Sequence, residues 1–375
     1  MLRRLLVTLL LVPRRPPVSF RPLGLIGSLR SLGSLRSLRS PVSFRLLVPL
    51  CLLAVCAACA STPGGAAEPA ASGGKKALTL GFSAWPGWFP WQVAEEKGLF
   101  AKNGLDVELK YFDSYTDSLT ALATGNVDAN SQTLNDTIAS VSGGAKQTIV
   151  LVNDNSTGND QIIARSGIST VADLKGRTVA AEQGTVDHYL LLLALRKAGL
   201  TEKDITFKAL PTDAAAAAFK AGQVDAVGVF APFTTTALEL PGSTAIATSK
   251  DFPGAIPDHL VVAASLVAER PQEVQALVKT WFETLEWIAA DKAGATAIMA
   301  KRAGVSEADY ASYDAGTTIF SLEDNLAAFE PGDTGDHLGN QASLIAKFLV
   351  DSGLADTEPS LDGLFEPKFV RSLKP

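Results

Sequence analysis

Three histidines, His188, His259 and His337, and three cysteines, Cys51, Cys56 and Cys59, are all this chain offers for metal binding, imidazole or thiol chemistry. The histidines are widely spaced with no metal-ligand motif, and every cysteine falls before residue 60. No Ser/His/Asp grouping, phosphate loop or metal cluster is visible, so the sequence implies no catalytic residue, no metal and no cofactor. The concentrated chemistry lies in SAWPGWFPW, residues 83–91, which holds Trp85, Trp88 and Trp91 with Pro86 and Pro90 between them. Indole faces attract cations and stack on planar ligands, and exposed indoles are costly without a use. Such residues predict recognition without bond making.

The elements that must position these rings follow from periodicity. ALTLGF reads as a strand, and WQVAEEKGLFAKNG as one helix ending at Gly104. LDVELKYF, VDANSQT and QTIVLV are further strands, separated by the helices TDSLTALATG and LNDTIASVSGG. The pattern then restarts. VADLKG is a short helix, TVAAEQ a strand, and TVDHYLLLLALRKAGL a long helix stopped by Gly199, its Leu190 to Leu195 run facing the core. ITFKAL, TDAAAAAFKAG, VDAVGVF and STAIATS continue the alternation, which implies βαβ units and mainly parallel sheets. Beyond HLVVAASLVAER the chain reads as helical to its end, with Trp281 and Trp287 as packing residues.

Charge is unevenly spread. Residues 1–59 carry nine arginines and no acid, which leaves 24 basic and 39 acidic residues to the rest, a balance of −15. An acidic body argues against nucleic acid as a partner, because phosphate binding needs a basic face. LLVPLCLLAVCAACA, residues 46–60, has the basic flank, short apolar run and small residues of a secretory signal. It is shorter than the roughly 20 residues needed to span a bilayer. Ala57-Ala58-Cys59 resembles a bacterial lipobox, with Cys59 as the lipid-anchored residue and Cys56 where leucine is usual. Residues 60–76, rich in Pro, Gly and small residues, read as a flexible tether. Residues 1–44, where PVSFR and SLR repeat, are low-complexity sequence that suggests a start assigned too early.

WQVAEEKGLFAKNGLDVELKYF, ALATGNVDA, VADLKGRTVAAEQGTVDHYLL and AAFKAGQVDAVGVFAPF occur in this order. Together they resemble the nitrate/sulfonate/taurine group of ABC-importer substrate-binding proteins, which includes thiamine-pyrimidine binders. The resemblance is best over about 80–240. It implies a type II periplasmic binding protein fold of class α/β, two α/β lobes around a cleft with a helical C-terminal tail. Residues 77–167 with 257–375 would form the first lobe and 168–256 the second, with crossings near IIARSG (162–167) and PDHLVV (257–262). It further implies a small-molecule solute, a membrane ABC permease as partner, a monomer, and export to the periplasm or the outer face of the plasma membrane.

In such a fold the turns after strands meet at the cleft. The first is SAWPGWFPW, where Ser83 and Trp85 are assigned to the ligand, Trp91 to the core, and Trp88 to either. The second is SQTLND, with Thr133, Asn135 and Asp136, the last equally a helix-end carboxylate. The third is EQGTVDHY, with Gly184, Thr185 and Asp187, and with His188 expected in solvent. The fourth is FAPF, with Phe230, and NDNSTGND is a fifth. These turns hold acids (Asp136, Asp154, Glu182, Asp187) but no Lys or Arg. A nitrogen-rich, cationic or zwitterionic solute suits them better than nitrate, a sulfonate or taurine, although backbone amides could hold a small anion. Two other classes stand beside this reading. One is the eukaryotic hydroxymethylpyrimidine synthases of the same superfamily, which carry a cysteine-rich motif absent here. The other is an envelope ligand sensor, which neighbouring permease and ATPase genes would argue against.

Overall fold

The structure, a computed structural model, describes residues 76–374. The leader, the anchor at Cys59 and the tether expected from the sequence fall before residue 76 and lie outside the described residues. Strand β1 (Leu78–Ser83) is buried along its whole length and pairs in parallel with β2 (Val107–Phe112) on one side and β3 (Ala129–Thr133) on the other. The helical segment expected from residue 91 to 104 is two helices, α1 (Pro90–Glu96) and α2 (Leu99–Lys102). Gly98 separates them at φ 66°, a left-handed conformation that ends one helix and redirects the next. Helix α3 (Tyr115–Ala123), capped by Ser114, and helix α4 (Leu134–Ser142) flank β3, and β4 (Gln147–Ser156) follows.

Between β4 and β5 (Asp160–Ala164) the chain passes into a second sheet. There a 3-10 turn precedes β6 (Thr178–Ala181), and α5 (Val186–Lys197) begins at Thr185. Strand β7 (Thr206–Ala209), helix α6 (Thr212–Lys220), strand β8 (Ala226–Phe230), helix α7 (Phe233–Leu238) and strand β9 (Thr244–Thr248) complete that lobe. The chain then returns to the first sheet as β10 (Pro257–Ala263).

The crossings therefore fall between Ser156 and Asp160 and between Thr248 and Pro257, not at IIARSG and PDHLVV. Those two stretches are themselves strands, because their apolar residues are needed in the sheets. Ile162 and Ile163 are fully buried between β8 and β9, and Leu260 to Val262 between β3 and β4. The sheets are correspondingly mixed rather than mainly parallel. The two strands next to the crossings, β5 and β10, run antiparallel to both neighbours, since no helical crossover carries the chain back to the starting edge. The orders are β7-β6-β8-β5-β9 and β2-β1-β3-β10-β4-β11, where β11 (Thr317–Ile319) comes from the tail. In each, second, first and third strands precede the antiparallel one, and a fourth follows. Two lobes of one plan, joined by two crossings, give the α/β architecture expected from the resemblance.

The tail is helical with one exception. Helices α8 (Ala264–Glu269), α9 (Pro271–Ala290), α10 (Lys292–Ala303) and α11 (Glu307–Ser312) lead to strand β11 (Thr317–Ile319), which adds an edge to the first sheet beside β4. Helices α12 (Leu322–Ala328), α13 (Leu338–Asp351) and α14 (Lys368–Arg371) finish the chain. The tail also ties the crossings. Asn159 donates from Nδ2 to Tyr313 O and Thr317 Oγ1, both at 2.7 Å, and Tyr313 pairs its hydroxyl with Thr235 Oγ1 of the second lobe at 2.7 Å. Among the described residues, no helix is long and apolar enough to cross a membrane.

Candidate functional site

Ser83 ends β1 at the cleft, and the tryptophan-rich turn after it is buried throughout. The amides of Trp88 and Phe89 donate to Trp85 O at 3.0 and 3.3 Å, which folds the turn back on itself. Trp85 Nε1 donates to Asp154 Oδ1 at 2.9 Å. A Cβ at Gly87 would lie 1.9 Å from Asp154 Oδ2, so only glycine allows the turn to rest on that carboxyl. Trp91 is fully buried, as its place at the head of the first helix suggests. It packs on Trp281 at 4.7 Å and donates from Nε1 to Ser131 Oγ at 2.9 Å. Trp281 is equally buried, and Trp287 packs at the margin of the core.

The remaining two indoles face the second lobe. Trp85 and Trp88 have ring centroids 6.4 Å apart, Trp88 and Tyr115 5.4 Å, Tyr115 and Phe230 6.1 Å, and Phe230 and Trp85 6.2 Å. Four rings thus close a circuit, three from the first lobe and Phe230 from the second. Asp160, Asp258 and Thr133 also line the cavity they surround, which has a volume of ≈ 10 Å³. That is room for about one water molecule, so the lobes are closed on each other. Among the described residues, no Lys, Arg or His lines this cavity or the adjoining one beside Ser83, Glu182 and Thr212.

Carboxyl groups dominate the electrostatics. Asp136, Asp154, Asp160, Asp187 and Asp258 are all almost fully buried, with Glu182 close behind. Burial pushes Asp136, Asp154 and Asp160 up to about 7, because a charged carboxylate loses its hydration there. Hydrogen bonds from Thr133 to Asp136, and from Trp85 to Asp154, restrain the rise. Asp187 and Asp258 are pushed well above the usual carboxylate range by burial and then by neighbouring carboxylates. Asp258 stands opposite Asp154 in the β10–β4 register, so like charges at short range oppose double ionisation. Asp154 and Asp258 share a hydrogen bond between their carboxyls, while Asp160 Oδ2 and Trp88 Nε1 lack a partner among the described residues.

Of the residues singled out in the sequence, Trp85, Trp88, Thr133 and Phe230 line the aromatic cavity, and Ser83 lines the adjoining one with Phe230. Asn135, Asp136, Gly184, Thr185 and Asp187 line neither; they build the helix ends behind it. Asp136, in the first turn of α4, accepts from Thr133 Oγ1 at 2.6 Å and Asn135 Nδ2 at 2.9 Å. Gly184 takes φ 81° and donates its amide to His188 Nδ1, while Thr185 turns its hydroxyl to Glu182 O. Asp187 pairs through Oδ2 with Thr212 Oγ1 at 2.6 Å. His188 is not in solvent. It is 2% exposed, stacks on Phe207 at 4.6 Å and pairs through Nε2 with Glu202 at 2.6 Å, because the helix turns it inward against β7.

Sequence reasoning passed over Tyr115, Asp160 and Asp258. Tyr115 opens the helix read as starting at Thr116, and its hydroxyl accepts from the Thr133 amide at 3.0 Å. Asp160 lies in the segment NDNSTGND and Asp258 in PDHLVV, each at the start of a strand that follows a crossing. A lone acid before an apolar strand, just past a crossing, is the signal that could have found both. Among the described residues no cluster of His, Cys, Asp and Glu has the arrangement to hold a metal ion.

Comparison with known proteins sets this geometry in context. Residues 71–304, more than half of the chain, match the NMT1-like family. A relative from Brucella abortus (strain 2308), provisionally named a binding protein, is 28% identical over 260 residues, covering 68% of this chain and 80% of its own. The crystal structure of the periplasmic aliphatic sulphonate binding protein SsuA from Escherichia coli superposes with a TM-score of 0.65 at 25% identity. It covers 78% of this chain and 93% of SsuA. The desulfurization enzyme DszB, at 18% identity and a TM-score of 0.54 over 79% of this chain and 98% of its own, shares the fold alone.

Proposed function

The chain belongs to the NMT1-like family, and from that premise we propose that it is an extracytoplasmic solute-binding protein that captures a small cationic or zwitterionic nitrogenous solute by lobe closure and delivers it to an ABC permease. The observation that carries the ligand class is the interlobe cavity, bounded by four aromatic rings and by buried carboxyls, with no Lys, Arg or His on its walls. A bare anion entering there would meet acids rather than counter-charges. A cation would meet ring faces worth about 0.5 to 2 kcal/mol and carboxyls whose ionisation it favours.

Closure is a hinge motion about the two crossings. Ser249 Oγ pairs with Ser156 Oγ at 2.7 Å and accepts from the Gly158 amide at 2.7 Å, so the crossings move together. Anchoring through Cys59 on the 60–76 tether would hold the lobes near the permease. The work is binding alone, without catalysis. His188 is engaged with Glu202, and His259, fully buried, is held down to about 3 by burial and stays neutral.

A sulfonate ligand is the second reading, favoured by the likeness to SsuA. Thermal unfolding of the purified chain against organic cations, aminopyrimidines, taurine, alkanesulfonates and nitrate separates the two. A ligand at 100 times its dissociation constant adds about 2.7 kcal/mol. Stabilisation by a nitrogenous cation supports the proposal, and stabilisation by sulfonates or nitrate alone overturns its ligand class.

A further inference from the structure

The ring circuit allows a narrower statement, which rests on the cleft reading above. We propose that Trp85, Trp88, Tyr115 and Phe230 form a box for a quaternary ammonium group, so that the solute carries a fully alkylated nitrogen.

Three observations carry this. First, the circuit is closed, with sides of 5.4 to 6.4 Å. A point central to four such rings lies about 4 to 5 Å from each centroid, inside the ≈ 6 Å reach of a cation–π contact. Second, no two neighbouring rings are parallel; their planes meet at 58°, 44°, 84° and 80°. A planar heterocycle is sandwiched by parallel faces, whereas rings turned against one another enclose a rounded group. Third, the walls combine the four rings with the buried carboxyls of Asp160 and Asp258. Trp85 Nε1 is committed to Asp154 and the Tyr115 hydroxyl to Thr133, so these two rings keep no free donor for a ligand, while Trp88 Nε1 has no partner among the described residues. Asp160, whose Oδ2 is unpartnered, and Asp258, paired with Asp154, stand at the same cavity. A positive charge wrapped in methyl groups matches both features. A primary ammonium could donate to the carboxyl oxygens but would put no methyl groups against the rings.

Phe230 alone comes from the second lobe, at the end of β8. It is the side of the box that opens and shuts with the hinge, and it must stand back from its closed position for the group to enter. Its ring links quaternary ammonium binding to closure.

The test is calorimetric titration of the full chain, purified in detergent, with choline, tetramethylammonium, ethanolamine and 3,3-dimethyl-1-butanol, the uncharged isostere of choline. Choline or tetramethylammonium should bind saturably, at least about tenfold tighter than the isostere and tighter than ethanolamine. Phe230→Leu, which keeps an apolar residue at the lid, should weaken choline by about 2- to 30-fold, the range of a single cation–π contact. Its melting temperature without ligand serves as the check on folding, and Trp88→Phe, which keeps a ring in the box, serves as the second variant and should retain binding. Equal affinity for the isostere, or for ethanolamine, would overturn the box. Binding of an aminopyrimidine or guanidinium compound without any quaternary ammonium would overturn the box but leave the nitrogenous-cation reading in place. Binding of sulfonates or nitrate alone, or of none of these cations, would remove both.

Discussion

Trp85 and Asp154 are 69 residues apart in sequence, and the indole Nε1 of one donates to the carboxyl Oδ1 of the other at 2.9 Å in a fully buried setting. The bond fixes one wall of the cleft to the last residues of β4, just before the chain crosses to the second lobe. Trp85→Phe keeps the ring and deletes the donor, which leaves a buried acceptor unsatisfied. A loss of about 1 to 3 kcal/mol in urea unfolding is expected. Gly87→Ala should cost a similar 1 to 3 kcal/mol through overpacking against the same carboxyl.

Stability without ligand should fall as pH rises. Asp136, Asp154 and Asp160 have ordinary values near 4 when unfolded and are held up to about 7 when folded. The folded state therefore binds more protons between these limits, and stability declines from about pH 4 to pH 7. His259 acts in the opposite sense. Its folded value near 3 means that its contribution is lost as pH falls from about 6.5 towards 3. Three carboxyls against one imidazole give a net decline over pH 5 to 8, measurable as a falling melting temperature. The affinity for a permanent cation should rise over the same interval, because the site then ionises. A melting temperature that climbs from pH 5 to pH 8 would contradict the assignment.

Closure has a visible latch. Thr116 of α3 donates its hydroxyl to Glu182 Oε1 in the second lobe, and Glu182 Oε2 accepts from Thr212 Oγ1 at 2.7 Å. Thr116→Val removes the interlobe bond at nearly constant volume. Affinity for the solute should drop about fivefold, the equivalent of roughly 1 kcal/mol, with little change in melting temperature without ligand. Small-angle scattering should show a larger radius of gyration for the variant.

The hinge depends on a glycine. Gly158, between β4 and β5, has φ 148°, where residues with a side chain are strained. Gly158→Val should destabilise by about 1 to 3 kcal/mol and slow closure, read by stopped-flow tryptophan fluorescence. Unchanged stability and closure rate would show that the crossing tolerates a different backbone path.

The fold was legible where apolar periodicity was strong. LTLGF, VELKYF and AVGVF are strands because their side chains are needed in a sheet, and Gly199 ends α5 where expected. The crossings were misplaced because IIARSG and PDHLVV look like ordinary strand ends, and sequence does not say that a strand pairs with segments on both sides of a lobe boundary. β11 was hidden for a related reason: three residues, TTI, are a strand only because β4 offers a free edge. The site was half legible. Trp85, Trp88 and Phe230 announce themselves as aromatics in proline-containing turns. Tyr115, Asp160 and Asp258 do not, since only the meeting of two lobes gives them a common destination.

The antiparallel strand β10 lies between β3 and β4, which do not touch each other without it. Until residues 257–263 exist, the first sheet is two fragments, β2-β1-β3 and β4 alone. The second sheet draws all five strands from Asp160 to Thr248, one unbroken length of chain. A polypeptide emerging N-terminus first therefore completes its second sheet while the first still has a gap through its centre, its buried strand edges exposed to chance partners. The lobe that begins the sequence is the last whose sheet can close.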